Sequence, residues 1–296
     1  MSNSTTDDGG GFVLYRYHPS IPVAAIASGL FAIVTGLHSW KMFKTRAWFL
    51  TPLTIGGLFE VAGFAARAYS ASQTPDWTIG PYVIQSVLPL VAPALFAGSI
   101  YMVLGRIIVM TDGEAHSVIR RKWLTKMFVC GDILAFTVQA GGAGFMSAGS
   151  LSSMNTGQNI VVGGLFIQIV FFGLFVLVAL TFHTRMRKVP TARVYSEHLP
   201  WEQHLHALYA SSALIMIRSI FRVVEFLLGN DGYVFGHEWF MWVFDALLML
   251  FVLIIFCCIH PGEIRRYLDE AKASGLEIAN SSVRLREYSS LERGYE

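Results

Sequence analysis

The sequence predicts an all-α, polytopic membrane protein, a bundle of seven transmembrane helices with its N-terminus outside and its C-terminus in the cytosol. Three observations support this prediction. Of the 296 residues, 54% are hydrophobic and only 14% are charged, against about 25% charged residues in ordinary soluble domains. Seven apolar stretches are long enough to cross a bilayer, which takes about 20 helical residues. The basic residues between these stretches are concentrated on one side.

The predicted spans follow one another with short connections. A segment inside hydrocarbon must satisfy its own backbone hydrogen bonds, so each apolar stretch predicts a helix. The third is longer than the bilayer requires, which predicts a tilt or an extension into the cytosol. The seven spans cover residues 21–42, 48–69, 81–110, 123–147, 158–181, 204–228 and 237–259.

The positions of lysine and arginine predict the orientation. Eighteen of the 22 basic residues follow span one, join spans three and four, follow span five or lie in the tail. The loops around 70–80, 150–159 and 230–236 contain none. Since cytosolic loops carry the excess of Lys and Arg, the N-terminus is predicted to lie outside. We expect an outer segment over 1–20, a transmembrane domain over 21–260, and a partly disordered cytosolic tail over 261–296.

The N-terminal residues do not resemble a signal peptide. They lack a basic start followed by an apolar core, so the first span is expected to act as the membrane signal. Asn3, Ser4 and Thr5 form a glycosylation sequon on the predicted outer side. We expect the protein to reside in the plasma membrane or in an endomembrane.

Three charges interrupt the sixth span, within RSIFRVVEFLLG at 218–229. Arg218, Arg222 and Glu225 are spaced four and three residues apart, which places them on one helix face. A charged side chain at the bilayer centre costs at least about 2.5–3.5 kcal/mol on insertion scales. Such residues normally find partners inside the bundle, so we expect oppositely charged side chains on neighbouring helices.

Other spans supply such partners. Pairs of polar residues seven positions apart, and therefore on one face, occur in spans two, four and seven, while spans three and five each contribute a glutamine. We expect these side chains to form one polar core, most of it in the outer half of the membrane. The candidate ligand-binding residues are Glu60, Arg67, Gln85, Asp132, Gln139, Gln168, Arg218, Arg222, Glu225, Glu238 and Asp245.

The polar core has two interpretations. It is either a structural network that fixes the order of the helices, or the lining of a pocket for an amphiphilic substrate. Five carboxylates face three arginines, and this excess of negative charge favours a cationic head group or a proton. Glu60, Asp132 and Asp245 are therefore candidate proton carriers.

Glycines and prolines predict the local shape of two spans. Gly141, Gly142 and Gly144, near the end of span four, predict close helix packing or local unwinding. Pro89 and Pro93 predict a kink in span three, because proline removes a helical hydrogen bond.

These residues, in this order and spacing, resemble the fungal RTA-like family of seven-span lipid-translocating exporters. The resemblance covers about residues 15–262. Its most specific marks are RSIFRVVE in span six, Glu238 with Asp245, and His260-Pro261. At the family's early Tyr-x-Pro motif this chain differs, reading YRYHPS around Tyr17. The remaining marks are Glu60, Gly63, Arg67, Gln85, Pro93, Tyr101, Arg106, Asp132, Gln139, the GGAG glycines and Gln168.

The resemblance implies a function as well as a fold. The family includes proteins of aminocholesterol resistance, sphingoid long-chain-base resistance and protoporphyrin uptake. The resemblance therefore implies a translocator or binding protein for an amphipathic molecule, such as a sphingoid base, a phospholipid or a sterol-like compound. Such a protein would confer resistance to toxic amphiphiles. The expected partners are membrane lipids and this small-molecule substrate, without nucleic acid or enzymatic activity. The resemblance is also compatible with a homo-oligomer.

Alternatives from other classes stay open. A seven-helix receptor or sensor has the same topology. An intramembrane metal hydrolase needs clustered histidine ligands, but none of the nine histidines forms an H-x-x-x-H pair within a span, and we predict no metal site. No cofactor is expected, although His38 and His260, near the cytosolic ends of spans one and seven, suggest haem binding by a tetrapyrrole transporter. The chain has no G-x-x-x-x-G-K-[ST] loop, which argues against an ATP-driven pump.

Overall fold

The structure is a computed structural model that describes residues 19–73, 78–146, 151–197, 199–228 and 237–270. Across these residues the protein is helical and contains no strand. The predicted outer segment up to residue 18, with the sequon and Tyr17, lies outside the described residues, as does the tail over 271–296. The predicted all-α membrane fold is confirmed.

The helices begin and end close to the predicted spans. Pro22 stands in the first turn of the first helix, where its missing N–H is not needed. A short 3₁₀ turn, Trp48–Leu50, leads into the second helix, and a further helix over 262–270 follows the turn at Pro261. The helices are α1 (Ile21–Thr45), α2 (Thr51–Ser72), α3 (Ile79–Met110), α4 (Arg121–Met146), α5 (Leu151–Lys188), α6 (Ala192–Glu197), α7 (Trp201–Leu228), α8 (Glu238–Met241) and α9 (Leu248–Cys258), with a π-helix, Trp242–Leu247, joining the last two.

Six helices in the described part of the chain are long and apolar enough to cross a membrane. They are α1 to α5 and the segment Glu238–Glu270, which contains α8, the π-helix, α9 and the helix over 262–270. The sequence predicted seven spans, and the helix missing from the six is α7. Its 28 residues reach about 42 Å at 1.5 Å per residue, but Arg218, Arg222 and Glu225 interrupt its apolar surface.

One local prediction on the predicted outer side is corrected by the structure. The fifth span was expected to begin at residue 158, after a loop, but α5 is already helical from Leu151. The polar residues over 152–159 therefore extend the helix beyond its most apolar part. For the glycines at the end of span four, close packing rather than unwinding is the predicted outcome that the structure shows, since α4 stays helical to Met146 and Gly142 closely approaches Gly157. Pro89 and Pro93 lie inside α3, and the kink expected there stays a prediction.

The long helices form a closed ring. Each of α1 to α4 packs against the next helix in the chain, α5 packs against α7, α7 against α9, and α9 returns to α1. The third helix also contacts α7 across the bundle. The polar faces of these helices consequently point toward a common interior.

Small residues allow the closest helix contacts. A Cβ on Gly142 of α4 would lie 2.7 Å from the carbonyl oxygen of Gly157 on α5, so both positions need glycine at this separation. On α2, a Cβ at Gly63 would lie 2.6 Å from the ring of Pro89 on α3. In a membrane, where lipid is as apolar as the helices, such close van der Waals packing is a main source of helix association.

The outward surface is apolar and the interior is aromatic. On α1 the side chains of Ile26, Ile33 and Leu37 are about half exposed or more, as expected for a lipid-facing stripe. Inside the bundle, Tyr101 of α3 packs against three phenylalanine rings of α4 and α5, with the closest centroids 4.5 Å apart. These rings are Phe128, Phe172 and Phe175.

Candidate functional site

The centre of the site is Arg218 on α7. Its Nε donates to Oδ1 of Asp245 in the π-helix, and its Nη2 donates to the carbonyl oxygen of Pro89 on α3 at 2.9 Å. The carbonyl of residue 89 would normally accept the N–H of residue 93 in an α-helix. Residue 93 is proline and has no N–H, so Arg218 supplies the missing donor.

Arg222, one turn further along α7, joins two carboxylates. Its Nη2 donates to Oδ2 of Asp245, while its Nη1 donates to Oε2 of Glu225 at 2.9 Å. Asp245 therefore accepts hydrogen bonds from both arginines, one on each oxygen. Charge-assisted hydrogen bonds of this kind are the strongest polar contacts in proteins.

The backbone around Asp245 is a π-helix over Trp242–Leu247. A π-helix contains more residues per turn than an α-helix and is frequently found at functional sites. Here the π-helix carries Asp245 and continues into α9. The helical pattern of the last span therefore changes at the residue that pairs with both arginines.

Glu60 of α2 adds a third carboxylate to this group. It is buried and interacts electrostatically with Asp245, Arg218 and Arg222. Its Oε1 is buried and accepts no hydrogen bond from the part of the chain that the structure describes. We call Glu60, Arg218, Arg222, Glu225 and Asp245 the charge cluster. It has three carboxylates and two guanidinium groups, a formal excess of one negative charge.

The charge cluster is buried unevenly. The side chains of Arg218 and Asp245 are 3% and 4% exposed, whereas those of Arg222 and Glu225 are 18% and 11% exposed. Glu225 is also the residue of this group nearest the end of α7 at Leu228. The cluster thus has a closed base at Arg218 and a more accessible edge at Arg222 and Glu225.

Arg67 and Glu238 form a second group. Nη2 of Arg67 donates to Oε1 of Glu238 at 2.8 Å, and the Arg67 guanidinium stands 5.5 Å from the ring centre of Trp242. The backbone N–H of Ser20 also lies within hydrogen-bond distance of the Glu238 carboxylate. This group ties the residue before α1 to the start of the last span.

Asp132 lies apart from both arginine groups. Its Oδ2 accepts a hydrogen bond of 2.9 Å from the hydroxyl of Tyr101, inside the aromatic cluster of α3, α4 and α5. Its Oδ1 is buried, and no donor in the described residues reaches it. Between α4 and α5, Nε2 of Gln139 donates to Oε1 of Gln168 at 3.2 Å.

Direct contacts thus divide the predicted polar core into separate groups. Among the described residues the expected single core is therefore not one directly connected network, since Asp132 bonds to Tyr101 and Arg67 pairs with Glu238. Five predicted residues form the charge cluster, two form the Arg67 pair, and Asp132, Gln139 and Gln168 lie between α3, α4 and α5. Gln85 is buried on α3, one turn before Pro89.

Sequence reasoning missed two groups that complete the site. The hydroxyl of Tyr101 and the carbonyl of Pro89 are direct partners of predicted residues. Two prolines four residues apart were a usable signal, because the second always leaves the carbonyl of the first without its helical donor. Nothing in the sequence indicated the π-helix at Asp245.

The two histidines suggested as haem ligands do meet. The rings of His38 and His260 stand edge to face with centroids 5.4 Å apart, and Oγ1 of Thr45 lies 3.2 Å from Nε2 of His260. Rings in direct contact leave no room for a macrocycle between them. Among the residues that the structure describes, no three His, Cys, Asp or Glu side chains are arranged to hold a metal ion.

Comparison with known proteins assigns the chain to a family. A family model described as "RTA1 like protein" matches residues 53–267, which include the charge cluster, the Arg67 pair and Asp132. The chain belongs to the RTA1-like family. The resemblance inferred from the sequence is therefore confirmed, and the family match contains all eleven predicted site residues.

Several curated relatives of this RTA1-like chain are fungal membrane proteins or transporters by name. It is 36% identical to Protein RTM1 of Saccharomyces cerevisiae, over 86% of this chain and 93% of the relative. It is 35% identical to Protoporphyrin uptake protein 1 of the same species, with the same coverage. The Probable lipid transporter atnI of Emericella nidulans is 30% identical over 88% of this chain and 71% of its own. No solved structure matches the chain significantly.

Proposed function

We propose that this RTA1-like protein is a translocator or binding protein for amphipathic lipids, rather than an enzyme. It uses the charge cluster to hold the polar head of its substrate. The proposal includes seven spans, with α7 as the sixth, the N-terminus outside, and residence in the plasma membrane or an endomembrane. The main support for the proposal is the edge of the charge cluster, where the side chains of Arg222 and Glu225 are partly exposed. The cluster as a whole has one more negative than positive charge, and Oε1 of its buried Glu60 accepts no hydrogen bond from the described residues.

The charge of the cluster favours a cationic head group. Three carboxylates face two guanidinium groups, and a buried unbalanced charge is unfavourable in a low-dielectric interior. An ammonium group, as in a sphingoid base, or a proton would balance Glu60. A neutral lipid with hydroxyl groups would gain less, since it supplies no positive charge.

An aromatic strip beside the cluster suits an acyl chain. Phe221, next to Arg222 on α7, stacks on Phe244, next to Asp245, with ring centres 4.7 Å apart. The strip continues to Phe240 and Trp239, whose rings are 3.8 Å apart. Trp239 is about half exposed on the outer surface of the bundle. A polar site bordered by aromatic surface matches a molecule with one charged end and one apolar end.

The names of relatives support the same class of substrate. One relative is named a probable lipid transporter and another a protoporphyrin uptake protein. Both names describe molecules with polar and apolar parts. We extend only the amphipathic character of the transported molecule to this chain. The charge cluster is our reason for proposing a cationic amphiphile.

Mass spectrometry of small molecules that copurify with the protein in mild detergent tests the proposal. We expect wild type to retain a defined amphiphile that Arg222→Ala loses, while Arg266→Ala, a change in an exposed arginine paired with Glu270, retains it. Equal retention by Arg222→Ala and wild type would contradict the proposal. Loss of ligand only together with a large drop in unfolding temperature would make the cluster a structural network. Capture of a specific cytosolic protein instead would favour a receptor.

A further inference from the structure

A second polar site lies at the other end of the bundle, which the sequence predicts to face the cytosol. Two adjoining cavities of about 490 and 310 Å³ form a groove between the α1–α2 turn, the end of α3, the start of α4 and the helix over 262–270. They share Phe49, Arg106, Val109 and Arg121 in their lining. Neither cavity includes a residue of the charge cluster.

Three arginines line this groove. Arg106 and Arg121 line both cavities and Arg265 the larger one, and each of the other two lies close enough to Arg106 to repel its charge. No carboxylate of the described residues lies within ion-pair distance of Arg106, whose guanidinium instead stands 5.0 Å from the ring centre of Phe49. Asp269 is the acidic residue of the groove. The lining thus has a formal charge of +2.

The position of the groove coincides with a membrane boundary. Arg106 is one turn from the end of α3 at Met110. Trp48, which lines the larger cavity, and Trp123, two residues along α4 from Arg121, are 53% and 65% exposed. Tryptophan is enriched at the level of lipid headgroups, so these side chains mark that level. The inner wall, at Met102, then lies toward the acyl chains.

The groove is held open by contacts between distant parts of the chain. Nη1 of Arg265 donates to the carbonyl oxygen of Arg46 at the end of α1, which fixes the helix over 262–270 against the α1–α2 turn. Arg121 pairs with Glu114 at 3.6 Å, both side chains being well exposed. Such exposed pairs contribute little, so a ligand can compete for Arg121.

We propose that this groove binds the headgroup of an anionic membrane phospholipid, with its phosphate between Arg106 and Arg121. Guanidinium groups suit phosphate because they donate two parallel hydrogen bonds, and basic pockets between transmembrane helices on the cytosolic side bind anionic headgroups. A lipid fits better than a soluble phosphate because the groove is lined as far as Met102, two turns before the end of α3 and on the side of the predicted hydrocarbon region. The bound lipid is separate from the substrate of the charge cluster, and this inference does not depend on the proposed function.

Native mass spectrometry of protein released from nanodiscs tests the inference. The nanodiscs contain phosphatidylcholine with a minor fraction of phosphatidylserine. We expect wild type to retain phosphatidylserine, Arg106→Gln to retain it about fivefold less, and Arg106→Gln/Arg121→Gln about 25-fold less, since each arginine near the headgroup contributes a similar factor. Arg266→Gln, on the same side but outside the groove, is the matched control, and Arg222→Ala tests independence from the charge cluster.

Two results would overturn the inference. One is retention of phosphatidylserine by the double variant at the wild-type level. The other is full displacement of the lipid by water-soluble glycerophosphoserine, which would identify a site for soluble phosphates. Unfolding temperatures in pure phosphatidylcholine nanodiscs show whether each variant is folded. If Arg106→Gln alone fails to fold, Arg121→Gln, at a more exposed position, replaces it as the decisive variant.

Discussion

Arg218 donates a hydrogen bond of 2.9 Å to the carbonyl oxygen of Pro89, the carbonyl that Pro93 leaves without a helical donor. The same side chain pairs with Asp245. One arginine therefore connects α7 with α3 and with the last span, and it satisfies two acceptors that would otherwise be buried without partners. This makes Arg218 the structural base of the charge cluster and leaves Arg222 as its accessible edge.

Replacing Arg218 should therefore destabilise the protein strongly. We expect Arg218→Met to lower the free energy of unfolding by about 3–5 kcal/mol, because the three carboxylates of the cluster would then face only Arg222 and the Pro89 carbonyl would lose its donor. The free energy is measured by equilibrium unfolding in mixed micelles, followed by tryptophan fluorescence. In Arg218→Met/Asp245→Leu, stability should partly recover, with a coupling energy of about 0.5–3 kcal/mol. Arg222 keeps Glu225 as a partner in that variant. Additive effects of the two changes would contradict a direct role for the pair.

Glu60 should behave differently, because its Oε1 has no hydrogen bond to lose within the described structure. We expect Glu60→Gln to change the free energy of unfolding by no more than about 1 kcal/mol, since an amide of the same shape removes a buried, unbalanced charge. Binding of a cationic amphiphile should nevertheless fall at least about tenfold, as expected for the loss of a charged partner. Titration with a fluorescent long-chain amine in detergent measures this affinity. The neutral alcohol of the same chain length is the control ligand. Wild-type amine affinity in Glu60→Gln would remove Glu60 from the site.

The hydrogen bond between Tyr101 and Asp132 should be more important than a comparable bond to a carbonyl. Tyr101→Phe deprives the buried Asp132 carboxyl of the donor at Oδ2, and we expect a loss of about 1–3 kcal/mol in the free energy of unfolding. Tyr209→Phe is the matched control, because its hydroxyl donates to the backbone oxygen of Ala179 at 3.1 Å. Its loss should be about 0.5–1.5 kcal/mol. Tyr101→Phe/Asp132→Leu should recover stability, and equal losses for the two tyrosine variants would show that the carboxyl needs no donor.

Periodicity identified the inward-facing charges but not which of them meet. Spacings of three, four and seven residues report the face of one helix, so Arg218, Arg222 and Glu225 could be selected together, and Asp245 together with Glu238. The height and rotation of each helix depend on packing across the whole bundle. For that reason Asp132 was grouped with the arginines, although its partner is Tyr101.

The ends of the helices could not be predicted from composition, because they depend on contacts with other helices. The polar run SLSSMNTGQN was interpreted as a loop, but Gly157 within it packs against Gly142, and this contact belongs to a helix already formed from Leu151. In the same way the π-helix at Asp245 follows from pairing with two arginines on α7, a tertiary constraint that local propensity does not contain.

The contact between α4 and α5 gives a test of helix packing with an internal control. A Cβ at Gly142 would lie 2.7 Å from the carbonyl oxygen of Gly157 and 2.8 Å from Val161, so Gly142→Ala requires the helices to separate. We expect a loss of about 1–3 kcal/mol in the free energy of unfolding, typical of overpacking. A Cβ at the adjacent Gly141 would meet no atom within 4 Å. Gly141→Ala should thus be neutral or stabilise the protein by up to about 1 kcal/mol through helix propensity.

Equilibrium unfolding of the two variants in the same micelles compares them directly. A measurement on the Gln139–Gln168 pair, which lies on the same two helices, distinguishes local strain from separation along the whole interface. If α4 and α5 separate, the hydrogen bond between the Gln139 and Gln168 side chains is already broken in Gly142→Ala. Gln139→Leu should then add little to the loss that Gly142→Ala has caused. If the strain stays local, the two losses should add within about 0.5 kcal/mol. Equal stability of Gly142→Ala and Gly141→Ala would mean that the helices do not approach as closely as the structure shows.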